Sequence, residues 1–302
     1  MPRRTTTRPL PGLGLSLAMA LLLAAAPAWA QAPADPALAA KPASEATRTA
    51  QARAASALPA DDARDADFAT RGFVASRADP LIRNAGGKPV FNVAAYQFVS
   101  GPAPATVHPA LWREMGLLKH HGLFKVAEGV WQVRGFDIAN MTVIAGKTGW
   151  ILVDPLTTRE TAAAALELVN ARLGARPVSA VIYSHSHADH FGGVRGVVAD
   201  ADIAAGRIAV LAPAHFIDEA ASENVLAGPA MGRRAMYQFG AGLAPGPQGQ
   251  MGSGIGMAVS AGETTLVTPT DTIARTGETR VVDGVALEFQ IVSGSEIGRA
   301  HV

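Results

Sequence analysis

Residues 183–193 read YSHSHADHFGG. Three of the chain's eight histidines and one aspartate fall within six positions there, directly after the apolar run PVSAVI at 177–182. A β-branched run of that length predicts a buried strand, and the polar residues behind it form a loop at the strand's end. Such a loop can curl His185, His187, Asp189 and His190 around a cation. Imidazole and carboxylate are the ligands zinc accepts where no thiolate exists, and this chain has no cysteine. His185 and His187 can hold one ion while Asp189 and His190 hold a second, and two adjacent metals can share a water and lower its pKa toward neutrality. The competing reading, surface histidines beside a polar helix start, suits a lone histidine better than this density.

Working outward from the loop, the segment LFKVAEGVWQVRGFDIANMTVIAGKTGWILVDP at 123–155 alternates short apolar runs with turn residues. It predicts three or four consecutive antiparallel strands ending at Asp154-Pro155. TTRETAAAALELVNARLG at 157–174 predicts a helix, with Thr157 or Thr158 able to cap it, Glu160 and Glu167 as good helix formers, and Gly174 closing it. Strand, helix, strand and polar loop make an α/β alternation. Beyond the loop, Gly192-Gly193 is expected to turn the backbone tightly, and RIAVLAP at 207–213 supplies another buried strand. Residues 240–262, rich in Gly and Pro, predict a long surface excursion. Asp283-Gly284 is a hairpin signal, with Val285, Leu287, Phe289 and Ile291 sharing one strand face.

Composition bounds what the 302-residue chain does: 49% hydrophobic residues suit a globular core. A net charge of +1 without a sustained Lys/Arg block offers no footprint for nucleic acid. Arg3, Arg4 and Arg8 precede an apolar run from Leu13 to Ala26 and the small-x-small triplet Ala28-Trp29-Ala30, so residues 1–30 are expected to be a signal peptide cut after Ala30. That run is shorter than a membrane-spanning helix needs, so no stable span is expected and the mature chain is placed in the periplasm or secreted. Residues 31–67 are dominated by Ala, Pro and small polar residues and predict a mobile leader, with a transient helix between Ser44 and Leu58 and order beginning near Phe68.

The stretch SHSHADHFGG resembles the H-x-H-x-D-H motif of the metallo-β-lactamase superfamily, which implies an αβ/βα sandwich with two metals at the edge of its paired sheets. Lactamases, glyoxalases, lactonases, nucleases and sulfatases share that motif. The segment from Leu111 to Asn170, with VSAVIYSHSHADHFGGVRGV, SENVLAGPAMGRRAMYQFG and TPTDTIARTGETRVVDGVALEFQIVSGSE, is similar to the secreted alkyl sulfatases of the superfamily. The likeness runs from about residue 68 to 296, which is expected to be the catalytic domain, present in part. Ser184 stands where that family more often has Thr, and both keep a small hydroxyl. The resemblance implies that His185, His187, Asp189 and His190 ligate two Zn2+ ions, with Glu296 as a further carboxylate ligand. It also implies hydrolysis of primary alkyl sulfate esters such as dodecyl sulfate by a metal-bound water, with cleavage on the carbon side of the ester oxygen. Homodimerisation is implied for full-length members only. Other hydrolases of the fold, acting on lactones, thioesters or β-lactams, and a non-catalytic metal-binding protein are the alternatives.

The resemblance breaks off after Glu296. One back-translation of EIGRAHV, at 296–302, reads GAGATCGGAAGAGCACACGTC, the start of a common sequencing adapter. Residues 297–302 are therefore expected to be an artefactual tail that forms neither strand nor helix, and the chain an N-terminal catalytic portion, its sandwich incomplete at the C-terminus, with little activity and poor folding.

Lesser candidates surround the motif. Asp154 can either support a ligand histidine by a hydrogen bond or cap a turn. Arg233 and Arg234 match a sulfate in geometry, but solvated charges are the plainer reading. His120, His121 and His215 are expected outside the metal set. Trp131, Trp150 and Phe191 are expected in the core, with Phe191 close enough to the motif to line an alkyl groove instead.

Overall fold

The computed structural model describes residues 40–59, 63–292 and the backbone of 300–301. The signal peptide expected at 1–30, Glu296 and most of the expected tail lie outside the described residues. The strands are β1 (Phe73–Ala75), β2 (Leu81–Arg83), β3 (Pro89–Asn92), β4 (Gly122–Ala127), β5 (Val130–Arg134), β6 (Met141–Ala145), β7 (Trp150–Val153), β8 (Val178–Ile182), β9 (Ala209–Pro213), β10 (Asp271–Ile273), β11 (Glu278–Val282), β12 (Val285–Ile291) and β13 (Ala300–His301). The helices are α1 (Glu45–Ala57), α2 (Ala63–Thr70), α3 (Pro109–Leu118), α4 (Arg159–Leu173), α5 (Ala188–Phe191), α6 (Asp200–Ala204), α7 (Phe216–Ala221) and α8 (Gly228–Gln238).

Eight strands form the main sheet in the order β1-β4-β5-β6-β7-β8-β9-β10. The meander β4 to β7 is antiparallel, as its turn-punctuated sequence predicts, and β7, β8, β9 and β10 run parallel. Parallel neighbours need a crossover, and α4 provides it between β7 and β8. Successive residues then bury on opposite faces. Trp150 and Leu152 of β7, Val181 of β8, and Val210 and Ala212 of β9 join one core with Ala162, Ala165, Leu168 and Val169 of α4. Ile151, Ala180, Ile182 and Leu211 join a second core with Leu287 and Phe289 of β12. The result is a helix layer, a large sheet and a smaller sheet stacked in that order, the mixed α/β architecture expected from the motif.

Besides that apolar contact and the Arg280–Asp271 ion pair between β11 and β10, one carboxylate ties the smaller sheet to the larger. Asp283 and Gly284 make the predicted hairpin turn with φ of 46° and 80°. The Asp283 carboxylate then accepts from the Thr148 and Gly149 amides, the Thr148 hydroxyl and the Ser179 hydroxyl at 2.7–3.1 Å. These donors hold its pKa down at about 2, against the opposing effect of desolvation.

A helix lies where one is expected between Ser44 and Leu58, while several other expectations change. The leader contains a regular 13-residue helix, α1, whose N-terminus is capped by the Ser44 hydroxyl accepting from the Thr47 amide at 3.1 Å. It buries no residue of its own, so Ala-rich helix propensity and the cap account for it rather than an apolar stripe. Regular structure resumes at Ala63, before the exposed Phe68. Thr158 occupies the N-cap of α4 but makes no capping bond; its hydroxyl turns inward to Thr161 and Ser260. The 240–262 excursion returns to the interior, with Gln250, Met251, Met257 and Ser260 all buried. Finally, Ala300–His301 pairs antiparallel with β12, because an open strand edge accepts any extended backbone.

Candidate metal centre

Asp154 and the histidine loop stand at the carboxyl ends of β7 and β8, adjacent parallel strands, where α/β sheets place their ligands. The loop is seated by close approach rather than by a tight turn. Gly192 and Gly193 have ordinary φ values of −62° and −84°. A Cβ on Gly193 would lie 2.1 Å from the Pro155 carbonyl oxygen, and one on Gly192 would lie 2.2 Å from that of Thr157. The Gly193 amide donates to the Leu156 carbonyl at 2.9 Å, locking the two loops together. On the opposing loop Asp154 and Leu156 both take left-handed backbone, at φ 59° and 62°. For a leucine this conformation is strained, and strain of this kind concentrates at functional sites.

A buried carboxylate anchors the same loop from below. Asp137, 1% exposed, accepts from Thr157, Thr161, Ser260 and the Ile138 amide at 2.5–3.2 Å. Burial pushes its carboxyl pKa up, while those donors oppose the rise.

The four motif residues come together. The rings of His185 and His187 lie 4.5 Å apart between centroids, and those of His185 and His190 lie 4.1 Å apart. His190 Nε2 meets Asp189 Oδ2 at 3.2 Å, and His190 Nδ1 meets Asp154 Oδ2 at 2.8 Å. Burial works against a charged imidazole, but these two carboxylates outweigh it and raise His190 to about 10. Burial would likewise raise Asp189, yet His190 beside it brings the carboxyl below its ordinary range. His185 is buried, while His187 is 40% exposed at the mouth of the site.

Asp154 therefore takes the supporting role of its two alternatives. Besides His190, its carboxylate accepts from the Ser184 amide at 2.8 Å and the Ser184 hydroxyl at 2.7 Å. Ser184 Oγ in turn lies 2.9 Å from His185 Nδ1. Nδ1 of His185 and of His190 are both engaged by this network, so Nε2 is the nitrogen that either ring could offer to a metal. That donor set, imidazoles held by a carboxylate beside a further carboxylate, fits a divalent transition ion. Among the described residues no three such side chains already converge as one ligand cluster. Asp189 and His190 are paired with each other.

The remaining candidates sort clearly. Arg233 and Arg234 are exposed on α8. His215 is exposed at the start of α7, 3.9 Å from Asp218. His121 Nδ1 meets the Ser76 hydroxyl at 2.7 Å, and burial lowers the pKa of both His120 and His121. Trp150 is buried, its indole N–H donating to Asn170, and Trp131 packs edge-on against it. Phe191 is buried among Tyr183 and Phe216 as part of the core. The residue that sequence reasoning overlooked is Glu223, whose Oε1 lies 3.0 Å from His187 Nε2. Its only signal is a polar pair, Glu223-Asn224, between two helical runs.

Residues 134–284 match the model of the metallo-beta-lactamase superfamily. The chain is 46% identical over 259 residues to a linear primary-alkylsulfatase of Pseudomonas sp., covering 85% of this chain and 38% of that protein. It is 44% identical to an alkyl/aryl-sulfatase of Saccharomyces cerevisiae, covering 85% of this chain and 40% of the relative. The solved structure of a stereoselective inverting sec-alkylsulfatase from Pseudomonas sp. superposes with a TM-score of 0.79 at 45% identity, over 83% of this chain and 40% of that one. The chain thus spans about two fifths of the length of these relatives. The motif geometry, the layered fold and a matching region that contains both lead to one conclusion: the chain belongs to the metallo-β-lactamase superfamily.

Proposed function

We propose that this chain carries the metal-binding part of a hydrolase that cleaves primary alkyl sulfate esters of the dodecyl sulfate type. The observation that carries the reading is the Asp154 network, which engages Nδ1 of both His185 and His190 at the end of β8. The likeness to alkylsulfatases over 85% of the chain supports the choice of bond. In this reading His185 and His187 hold one zinc ion, Asp189 and His190 hold a second, and Glu296, outside the described residues, adds a carboxylate. The metal supplies Lewis acidity, activating water and offsetting negative charge that develops on the sulfate.

The protein's own residues do the positioning. Asp154 and Ser184 fix the orientation of two imidazoles through their Nδ1 atoms, and Gly193 lets the loop close on Pro155 and Leu156. Asp137 fixes the loop that carries Asp154, and Phe191 with Phe216 closes the interior beneath. Export through a leader at 1–30 belongs to the same reading, supported by the Arg-rich start and the apolar run to Ala26. No helix among the described residues is long and apolar enough to cross a membrane.

The test is inorganic sulfate release from dodecyl sulfate by the complete gene product, with and without a chelator. Release that stops with chelation and returns with zinc is expected. Opening of lactones or β-lactams with no sulfate release would assign a different bond to the same site.

A further inference from the structure

His187 is the one motif histidine that the Asp154 network does not reach. Its ring is held from the other side. Between α7 and α8 the chain makes a π-helical turn, Ser222–Leu226, in which the Ala227 amide donates to the Ser222 carbonyl at 3.0 Å. Turns of this kind are rare and recur at functional sites, because the extra residue re-aims side chains that a regular helix would direct elsewhere. Here it directs Glu223 to the motif, with Oε1 at 3.0 Å from His187 Nε2. The neighbouring Asn224 amide group bridges the Ala220 carbonyl at 2.8 Å and the Ser186 carbonyl at 3.4 Å, tying the turn to the motif loop.

We propose that Glu223 is a positioning residue that accepts the Nε2–H of His187 and so leaves Nδ1 as the ring's ligating nitrogen. The motif then uses two opposite tautomers. His185 carries its proton on Nδ1, toward Ser184, and His187 carries its proton on Nε2, toward Glu223. A short loop bearing histidines two residues apart gains from this arrangement, because rings of opposite tautomer present nitrogens at different distances from the backbone. A carboxylate on the remote nitrogen also makes the imidazole a stronger donor. The inference rests on the metal-centre reading above, but its primary readout does not need the metal.

The experiment is a long-range proton–nitrogen correlation spectrum of the uniformly 15N-labelled, metal-free full chain, which reports the tautomer of each histidine ring. The native chain is expected to show His187 protonated at Nε2 and His185 at Nδ1. Glu223→Gln keeps an accepting oxygen and retains the His187 pattern, whereas Glu223→Ala loses it. Zinc affinity, read by competition with a chelator, falls roughly 10–100-fold in Glu223→Ala and much less in Glu223→Gln. His187 protonated at Nδ1 in the native chain would overturn the proposal, as would a tautomer indifferent to Glu223→Ala. Equal loss of zinc in Glu223→Ala and Glu223→Gln would make Glu223 a ligand instead and equally overturn it. A native chain that binds no zinc removes the metal-centre reading, while the tautomer of His187 still decides the role of Glu223.

Discussion

Asp154, at the end of β7, holds His190, from the loop after β8, through a 2.8 Å hydrogen bond to Nδ1 while also accepting from the Ser184 amide and hydroxyl. One carboxylate on one strand therefore sets the geometry of the loop on the next. Asp154→Asn preserves the left-handed backbone that Asn tolerates and removes the charge. Zinc affinity of this variant should fall roughly 10–100-fold, as it does when such supporting carboxylates are removed, and thermal stability should fall as well, because an amide cannot accept at every point where the carboxylate meets Ser184 and His190. Chelator competition and a melting curve check both, and unchanged affinity would deny Asp154 its role.

Gly193→Ala tests whether the loop is seated by close approach. The new Cβ would meet the Pro155 and Thr158 carbonyl oxygens and the Ala162 side chain, at 2.1–2.6 Å, and none of the backbone atoms can swing aside. Overpacking of this kind costs about 1–3 kcal/mol, and here it also displaces the histidines. Denaturant unfolding should show the loss.

Removing the buried carboxylate beneath the site is expected to be more damaging. Asp137→Ala strands hydrogen-bonding groups of Thr157, Thr161 and Ser260 in the interior, where unsatisfied donors are costly. A loss of about 3 kcal/mol in unfolding free energy is expected. Asp137→Asn, which retains an accepting oxygen, should cost less.

The docking of the smaller sheet should depend on pH through Asp283. Its folded pKa is depressed from 3.8 to about 2, so its contribution is fully present above the unfolded value and is lost as pH falls through the folded one. The melting temperature of the native chain should therefore exceed that of Asp283→Asn by a constant margin at neutral and mildly acidic pH. That margin narrows as the pH drops from about 4 toward 2. A margin independent of pH would mean the carboxylate acts only as a neutral acceptor.

Much of this architecture is legible in the sequence where local pattern and burial agree. β8 and its histidine loop, α4 with Gly174 behind it, and the Asp283-Gly284 turn all carry short-range signals: period, punctuation and turn chemistry. Less legible are the features that depend on partners remote in the chain. Met251 and Met257 sit in a Gly-rich stretch with no periodicity, yet they are buried because Gly256 lets the chain pass tight against Ile138. Glu223 acquires meaning only when the π-turn brings it to His187. α1 lies where the Ala-rich composition between Ser44 and Leu58 points to a helix, although it has no buried stripe.

The central claim is that the histidine loop holds a divalent metal, and equilibrium dialysis of the full chain against zinc, followed by elemental analysis, tests it most directly. The native chain should retain zinc, and a His185→Ala/His187→Ala variant with an unchanged circular dichroism spectrum should lose it. Equal zinc in both proteins, or none in the native chain, would contradict the account.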